Sequence, residues 1–319
     1  MSAEKIKILQ AINKNVHSKK WNCMSIGCNN DAIKSHLLQK NGTLSLISLN
    51  SHVVELVEND YFKIYNGERT LVFKKNSLNK VMCHPLFCNR HDTSIFRTIE
   101  VGEIDFHNHE TQRLFLYRSL CGELWKKKRN LEFYQRMEKS NRLRILLSSQ
   151  EKEMLQQNIE SHALGISDLI YYKEKIENAE LSSNSFTFKT FEVPFLEVCG
   201  AGVFSPISST ESYDQAEPFP IVLISLIPYK KSLFIILGKS NEYTNNWIES
   251  YFKSWNESYP QKYQQLISDL IATRIESWAI SLNLFESWKP EKLGEIEGYW
   301  NINRYNLYTS QKFYVNMFD

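Results

Sequence analysis

Apolar positions along the chain follow two rhythms. Between residues 108 and 140 they recur every three or four places, at Leu114, Leu116 and Tyr117, Leu120 and Cys121, Leu124 and Trp125, the spacing of one stripe on a helix. A second stretch of that period, 149–180, follows across a short polar joint, so the two predict a long helical hairpin. Residues 1–20, with Ile6, Ile8, Leu9 and Ile12, predict a short amphipathic helix. Beyond 182 the pattern becomes strand-like. Segments 185–193, 196–204, 220–228 and 232–239 read as strands of an antiparallel sheet, the last two joined by Tyr229-Lys230-Lys231 as a hairpin. Helices over 244–257 and 260–284 close this region, Trp247, Tyr251, Phe252 and Trp255 giving the first one an apolar face. The Ser/Pro/acid-rich 205–220 predicts a long loop, and the aromatic tail 298–319 predicts packed extended chain.

Upstream the reading is mixed. Short strands are expected at 44–49, 52–57 and 70–75, with the turn signal Asn66-Gly67-Glu68 between the last two, and a helix is expected to open near Cys88. The expected class is α+β in three parts. Residues 1–105 form a knuckle-bearing module, 106–182 the helical hairpin, and 183–319 a domain with an antiparallel sheet and packed helices.

Composition narrows the function classes. With 319 residues, 42% apolar and 13% aromatic, the chain is globular rather than disordered. Its 38 basic and 36 acidic residues nearly cancel, so net charge selects no partner. The strongest apolar run, 219–228, is far shorter than the roughly 18–20 residues of a membrane span, and residues 1–20 lack the apolar core of a secretory signal. A soluble cytoplasmic protein with no membrane partner is expected. No Gly-rich phosphate loop is present, which argues against a nucleotide-phosphate enzyme of that kind. Charge is concentrated locally: between Arg113 and Ile145 there are ten Lys/Arg against three Glu. Arg118, Lys126, Lys127, Lys128 and Arg129 are the candidates for phosphate contacts with DNA or RNA, although such a run also suits a solvated helix face.

The candidate chemistry lies in two clusters. Cys23-x4-Cys28 and Cys88-x2-His91 each offer two ligands at loop spacing, and thiolates with an imidazole point to a tetrahedral structural zinc site. Cys83-x4-Cys88 repeats the first spacing and makes Cys83 an alternative to His91; His91 is preferred because it sits where a helix should begin. A zinc ion with four protein ligands cannot activate water, so any catalysis must come from groups beside it. His36 is left over for that part. Asp92 at a helix start is a candidate helix cap, and Glu100 has Arg97 and Arg118 as alternative ion-pair partners.

The order Cys…Cys, Ser35-His36, then Phe87-Cys88-x2-His91-Asp92 opening a helix resembles the treble-clef form of the HNH, or His-Me finger, nucleases. More closely, 32–48, 87–100 and 116–128 resemble a group of bacterial zinc-knuckle proteins with Ala-Ile-x-Ser-His and Phe-Cys-x2-His-Asp signatures. The resemblance covers about the first 130 residues. It implies a zinc knuckle pinning two strands onto a helix, His36 as general base, Asp92 as ligand to a catalytic Mg2+ or Mn2+, and a context of defence against phage. Those nucleases carry Asp-His or His-His where this chain has Ser35-His36, and Asn79 is the nearest candidate for their orienting Asn. Two functions follow: a nucleic-acid-directed protein of the HNH-like endonuclease type, or a non-catalytic zinc-stabilised binding module or complex subunit, with a protein partner or self-association.

Overall fold

The structure is a computed structural model and describes residues 2–207, 217–256, 260–303 and 310–319. In chain order the N-terminal part runs α1 (Ala3–His17), β1 (Ile33–His36), a π-helical turn (Lys40–Leu44), β2 (His52–Glu58), α2 (Tyr61–Tyr65), β3 (Leu71–Ser77), β4 (Cys83–Phe87) and α3 (Asn89–Glu100). The central helices are α4 (His109–Lys139), α5 (Asn141–Leu146), α6 (Ser149–Glu177) and α7 (Ala179–Ser185). Then come β5 (Phe186–Pro194), β6 (Val198–Phe204), β7 (Val222–Tyr229), β8 (Ser232–Ser240), α8 (Asn246–Asn256), α9 (Pro260–Thr273), β9 (Ser277–Ile280), α10 (Leu282–Ser287) and α11 (Pro290–Asn303).

The fold is mixed α+β around a seven-stranded antiparallel sheet of order β3-β2-β9-β6-β7-β8-β5. Strands β2 and β3, from the N-terminal third, thus share a sheet with β5–β9, linked through Val54 opposite Ile280. Alternate residues of the central strands feed two cores. On β7, Leu223 and Ile227 join α4, α6 and the β1/β4 region, while Val222, Ile224 and Leu226 pack with α8, α9 and α11. Burial on both faces explains why 220–228 is apolar except at Ser225, whose hydroxyl pairs with Ser119, rather than alternating. A third cluster, around Leu9, Leu143, Leu147 and Leu155, docks α1 on the far end of the helical hairpin.

The helical hairpin begins and turns on polar caps. Asn108 accepts from the backbone N–H groups of Glu110 and Thr111 to start α4, and Ser148 with Glu151 forms a reciprocal capping box on α6. Six strands of the sheet, β2, β3 and β5 to β8, lie where the sequence predicts them, and the β7–β8 hairpin turns on Lys230-Lys231, with Lys230 at φ +53°.

Several expectations need correction. Residues 44–49 form no strand: they continue the turn after Lys40, with Leu44 and Ile47 buried three residues apart and Leu46 and Leu49 exposed. The turn signal at 66–68 holds, with Gly67 at φ +91°, but a short α2 precedes it. The helix expected over 260–284 ends at Thr273, and the chain then forms β9 between β2 and β6. The tail is helical up to Asn303, and of its remainder 304–309 lie outside the described residues, as do 208–216 of the expected long loop and residue 257 of the first closing helix. Among the described residues no helix is long and apolar enough to cross a membrane.

Candidate metal centre and the adjoining His–Asp site

Strands β1 and β4 form a separate two-stranded antiparallel sheet, with Lys34 opposite Pro85 and His36 opposite Cys83. Cys88 follows β4 directly and stands at the N-cap position of α3. The knuckle before β1 is fastened to this unit by its backbone: Cys23 N–H donates to Asn30 O at 2.8 Å and Met24 N–H to Leu86 O at 2.8 Å. Within it Gly27 adopts φ +74°, a left-handed turn open to glycine at little cost. A third element steadies the knuckle from outside, because Glu177 at the end of α6 accepts from Ile26 N–H at 2.8 Å and from the Ser25 hydroxyl at 3.1 Å.

These connections gather Cys23, Cys28, Cys88 and His91, whose ligand atoms all lie within 4.8 Å of one another. Cys28 Sγ is 3.9 Å from Cys88 Sγ, and His91 Nδ1 is 3.3 Å from Cys23 Sγ and 3.5 Å from Cys88 Sγ. Ordinary Zn–S and Zn–N bonds at tetrahedral angles place ligand atoms about 3.6–3.8 Å apart, so the four donors fit one tetrahedral ion. Burial pushes the Cys23 thiol up to about 11, and a bound cation is what would hold it ionised. Cys83 lies outside this set, on β4 beside His36. The cluster could therefore hold a metal such as zinc.

The other sequence-predicted residues fall on two sides of this centre. His36 ends β1, half-buried, with Nε2 2.7 Å from the backbone carbonyl of Leu78. A carbonyl only accepts, so Nε2 carries the proton and Nδ1 the lone pair. Burial lowers the His36 pKa, keeping the ring neutral near pH 7. The residue bonded to His36 is thus Leu78, through its main chain, immediately before Asn79. Asp92 stands in the first turn of α3, close enough for its charge to act on His36. Burial raises the Asp92 pKa, against the pull of the Arg118 guanidinium and the Ser35 hydroxyl, and Asp92 Oδ1 is buried without a hydrogen bond.

Arg118, named from the sequence as a candidate for phosphate contacts, lies inside the molecule instead. It is 1% exposed, its Nη2 donates to Glu100 Oε1 at 2.7 Å and lies 3.8 Å from Asp92 Oδ1, and its guanidinium stacks 3.8 Å above the Phe96 ring. Of the two partners open to Glu100, this is the one it takes. Gln39 completes the frame by donating to the carbonyl of Glu100 at 2.6 Å, at the end of α3.

The basic stretch of α4 is largely engaged within the molecule. Lys126 pairs with Glu123 at 2.7 Å and Glu276 at 3.1 Å, and although burial alone would lower its pKa, these carboxylates outweigh that and raise it. Arg129 reaches Asn13 at 2.9 Å and His17 at 3.1 Å on α1, Arg136 pairs with Glu132, and Arg113 with Glu110. Lys127 lies against Gly165 of α6 and Lys128 is near enough to Lys173 for the two charges to repel. Sequence reasoning missed His84, whose ring stacks on Trp125 at 4.4 Å and whose pKa burial, then Lys126 and Arg129, pushes down to about 3. Its position on β4, one residue after Cys83, was the only available signal.

No family model matches the chain, and no curated protein and no solved structure matches it either.

Proposed function

We propose that the protein is a nucleic-acid-directed phosphodiester hydrolase of the His-Me finger kind, in which a structural zinc ion on Cys23, Cys28, Cys88 and His91 fixes the geometry of His36 and Asp92. One observation carries this reading: the cluster that binds the knuckle to β4 and α3 also sets a neutral, oriented imidazole at the end of β1 beside a carboxylate in the first turn of α3. Hydrolysis of a phosphodiester needs a base for water and a cation for the developing charge. His36 supplies the base through Nδ1, with its tautomer held by the Leu78 carbonyl.

A catalytic Mg2+ or Mn2+ fits the donor chemistry in a limited way. Mg2+ is commonly held by one or two carboxylates together with substrate phosphates. Asp92 has a buried oxygen without a hydrogen bond, and Glu100 approaches the same Arg118. The two carboxylates carry one charge more than the single guanidinium between them, so the pair attracts a further cation. Asp92, with Glu100, would hold the ion, which supplies charge neutralisation at the scissile phosphate. Arg118 keeps both carboxylates in place.

The test is cleavage of plasmid, linear DNA and RNA by the zinc-loaded protein with Mg2+ or Mn2+. His36→Ala is expected to abolish cutting while zinc content stays at one per chain. Equal behaviour of wild type and H36A with every metal and substrate removes the hydrolase reading.

A second reading rests on Arg118 itself. Its buried guanidinium already neutralises one carboxylate charge, which is also what a non-catalytic module pinned by zinc requires. In that case the module is a binding platform or complex subunit, and the His36 and Asp92 variants change stability without changing any turnover. Nucleic-acid affinity that falls steeply with salt supports either reading. Defence against phage is the biological setting proposed for the hydrolase.

A further inference from the structure

A cavity of about 470 Å3 opens beside the knuckle, between residues 19–24, α4 and α6. Leu124, Ile170 and Met24 supply apolar surface, and the Trp21 indole stands in the wall, steeply inclined to Trp125 at 6.2 Å between ring centres and with Lys19 Nζ 4.7 Å from its ring centre. The charged lining is one-sided: Lys19, Lys20, Lys128 and Lys173 against Glu174.

Three of those lysines have carboxylate partners. Lys19 pairs with Glu132, Lys20 with Asp31 and Lys173 with Glu177. Lys128 has none among the described residues, although it is half-buried and near enough to Lys173 for the two charges to repel. Burial, then that repulsion, lowers its pKa. A half-buried cation without a counter-charge is costly, and an anion in the cavity removes the cost. A metal cation is repelled, and a neutral ligand leaves Lys128 as it is. Inorganic phosphate alone leaves the Trp21 wall and the apolar floor without a partner, whereas the volume matches a small-molecule site.

We propose that this cavity binds a nucleoside phosphate, its phosphate on Lys128 with help from Lys20 and its base or sugar against Trp21 and Leu124. The ligand is either a free mononucleotide or the 5′-phosphorylated end of a nucleic-acid strand, since both present the same group. Cys23 belongs to the cavity wall and to the metal cluster, so an occupant touches the knuckle directly. The inference stands independently of the hydrolase reading, because it is read out by binding and not by cleavage.

The experiment is calorimetric titration of the metal-loaded full chain with AMP, GMP, CMP and UMP, a 5′-phosphorylated dinucleotide, adenosine and inorganic phosphate, alongside tryptophan fluorescence. Binding of at least one mononucleotide or of the phosphorylated dinucleotide is expected, at least tenfold tighter than adenosine or phosphate. Lys128→Met should weaken it tenfold or more, Lys128→Arg should largely restore it, and Trp21→Phe should remove the fluorescence change. The proposal is overturned if none of the phosphorylated probes binds, if inorganic phosphate binds as tightly as they do, or if K128M, shown folded by circular dichroism and metal content, binds unchanged.

Discussion

The Nη2 atom of Arg118 donates to Oε1 of Glu100 across 2.7 Å, joining the middle of α4 to the end of α3 in a place where the arginine is 1% exposed. Removing one member of such a buried pair leaves the other charge uncompensated, which costs about 3–5 kcal/mol. Arg118→Met is therefore expected to lower unfolding free energy by about 3 kcal/mol in urea titration. Glu100→Gln should cost at least as much, because the charge it strands, the Arg118 guanidinium, is the more buried of the two and keeps only the Asp92 carboxylate 3.8 Å away. The double variant should lose less than the two single losses added together, since both remove the same interaction. Additive losses would mean that the two residues act separately.

The metal centre makes a prediction that does not depend on catalysis. Cys88 touches both Cys28 and His91 and stands at the N-cap position between β4 and α3, so Cys88→Ser should release the ion and loosen β4 and α3 together. A ligand at a thousandfold its Kd stabilises the native state by about 4 kcal/mol, and loss of that order is expected on strong chelation as well. Mass spectrometry under native conditions should find one zinc per wild-type chain and none in C88S. A wild-type chain purified without any bound transition metal would sink the assignment of this cluster.

How much of this was legible depended on how local each cause was. Strands β5 to β8 could be read because each carries its own apolar pattern and the β7–β8 turn is adjacent in sequence. Strand β9 could not: Ser277–Ile280 is four residues long and gains its partners from β2 and β6, the former more than 200 residues earlier. The pattern Leu44-Ser45-Leu46-Ile47 mimics a strand, yet burial of Leu44 and Ile47 alone satisfies a helical turn equally well. The four candidate metal ligands were visible from residue type and spacing, since few other uses explain thiols and imidazole so grouped. The charge balance of α4 was legible only in part. Sequence counts the cations and the three Glu of the same stretch, but it does not count the carboxylates of Glu100 and Glu276 that folding brings to them.

Acid should act through His84. Its folded pKa of about 3 lies below the ordinary 6.5, so between these values the unfolded chain binds a proton that the native ring refuses. Stability from this residue is complete above pH 6.5 and falls as pH drops toward 3. The expected slope approaches about 1.4 kcal/mol per pH unit. His84→Phe keeps a ring on Trp125 and removes the Nε2 atom that is buried without a partner. Urea titrations of metal-loaded protein at pH 7.5 and 5.5 should show about 1.4 kcal/mol less loss in H84F than in wild type. Identical losses would show that other groups govern the acid side.

Gly122 on α4 is where the helical hairpin meets the residue after His36. A Cβ there would lie 2.5 Å from Leu37 Cδ2, with Cδ1 at 3.2 Å and Cγ at 3.5 Å, while Leu37 itself is 1% exposed. Gly122→Ala gains up to about 1 kcal/mol of helix propensity but forces a buried leucine to move, an overpacking cost of about 1–3 kcal/mol. A net loss of about 1 kcal/mol is expected. Leu37→Ala opens a cavity and should cost about 2–5 kcal/mol. In the double variant the methyl added at position 122 occupies part of the space Leu37 vacates, so the clash disappears and the combined loss should be smaller than that of L37A alone. Because Leu37 N–H also bonds Met82 O at 2.9 Å, displacement of Leu37 in G122A is transmitted to the end of β1. If His36 is the base, G122A should reduce turnover more than it reduces substrate affinity. A double variant less stable than L37A would show that the methyl clashes with something other than Leu37.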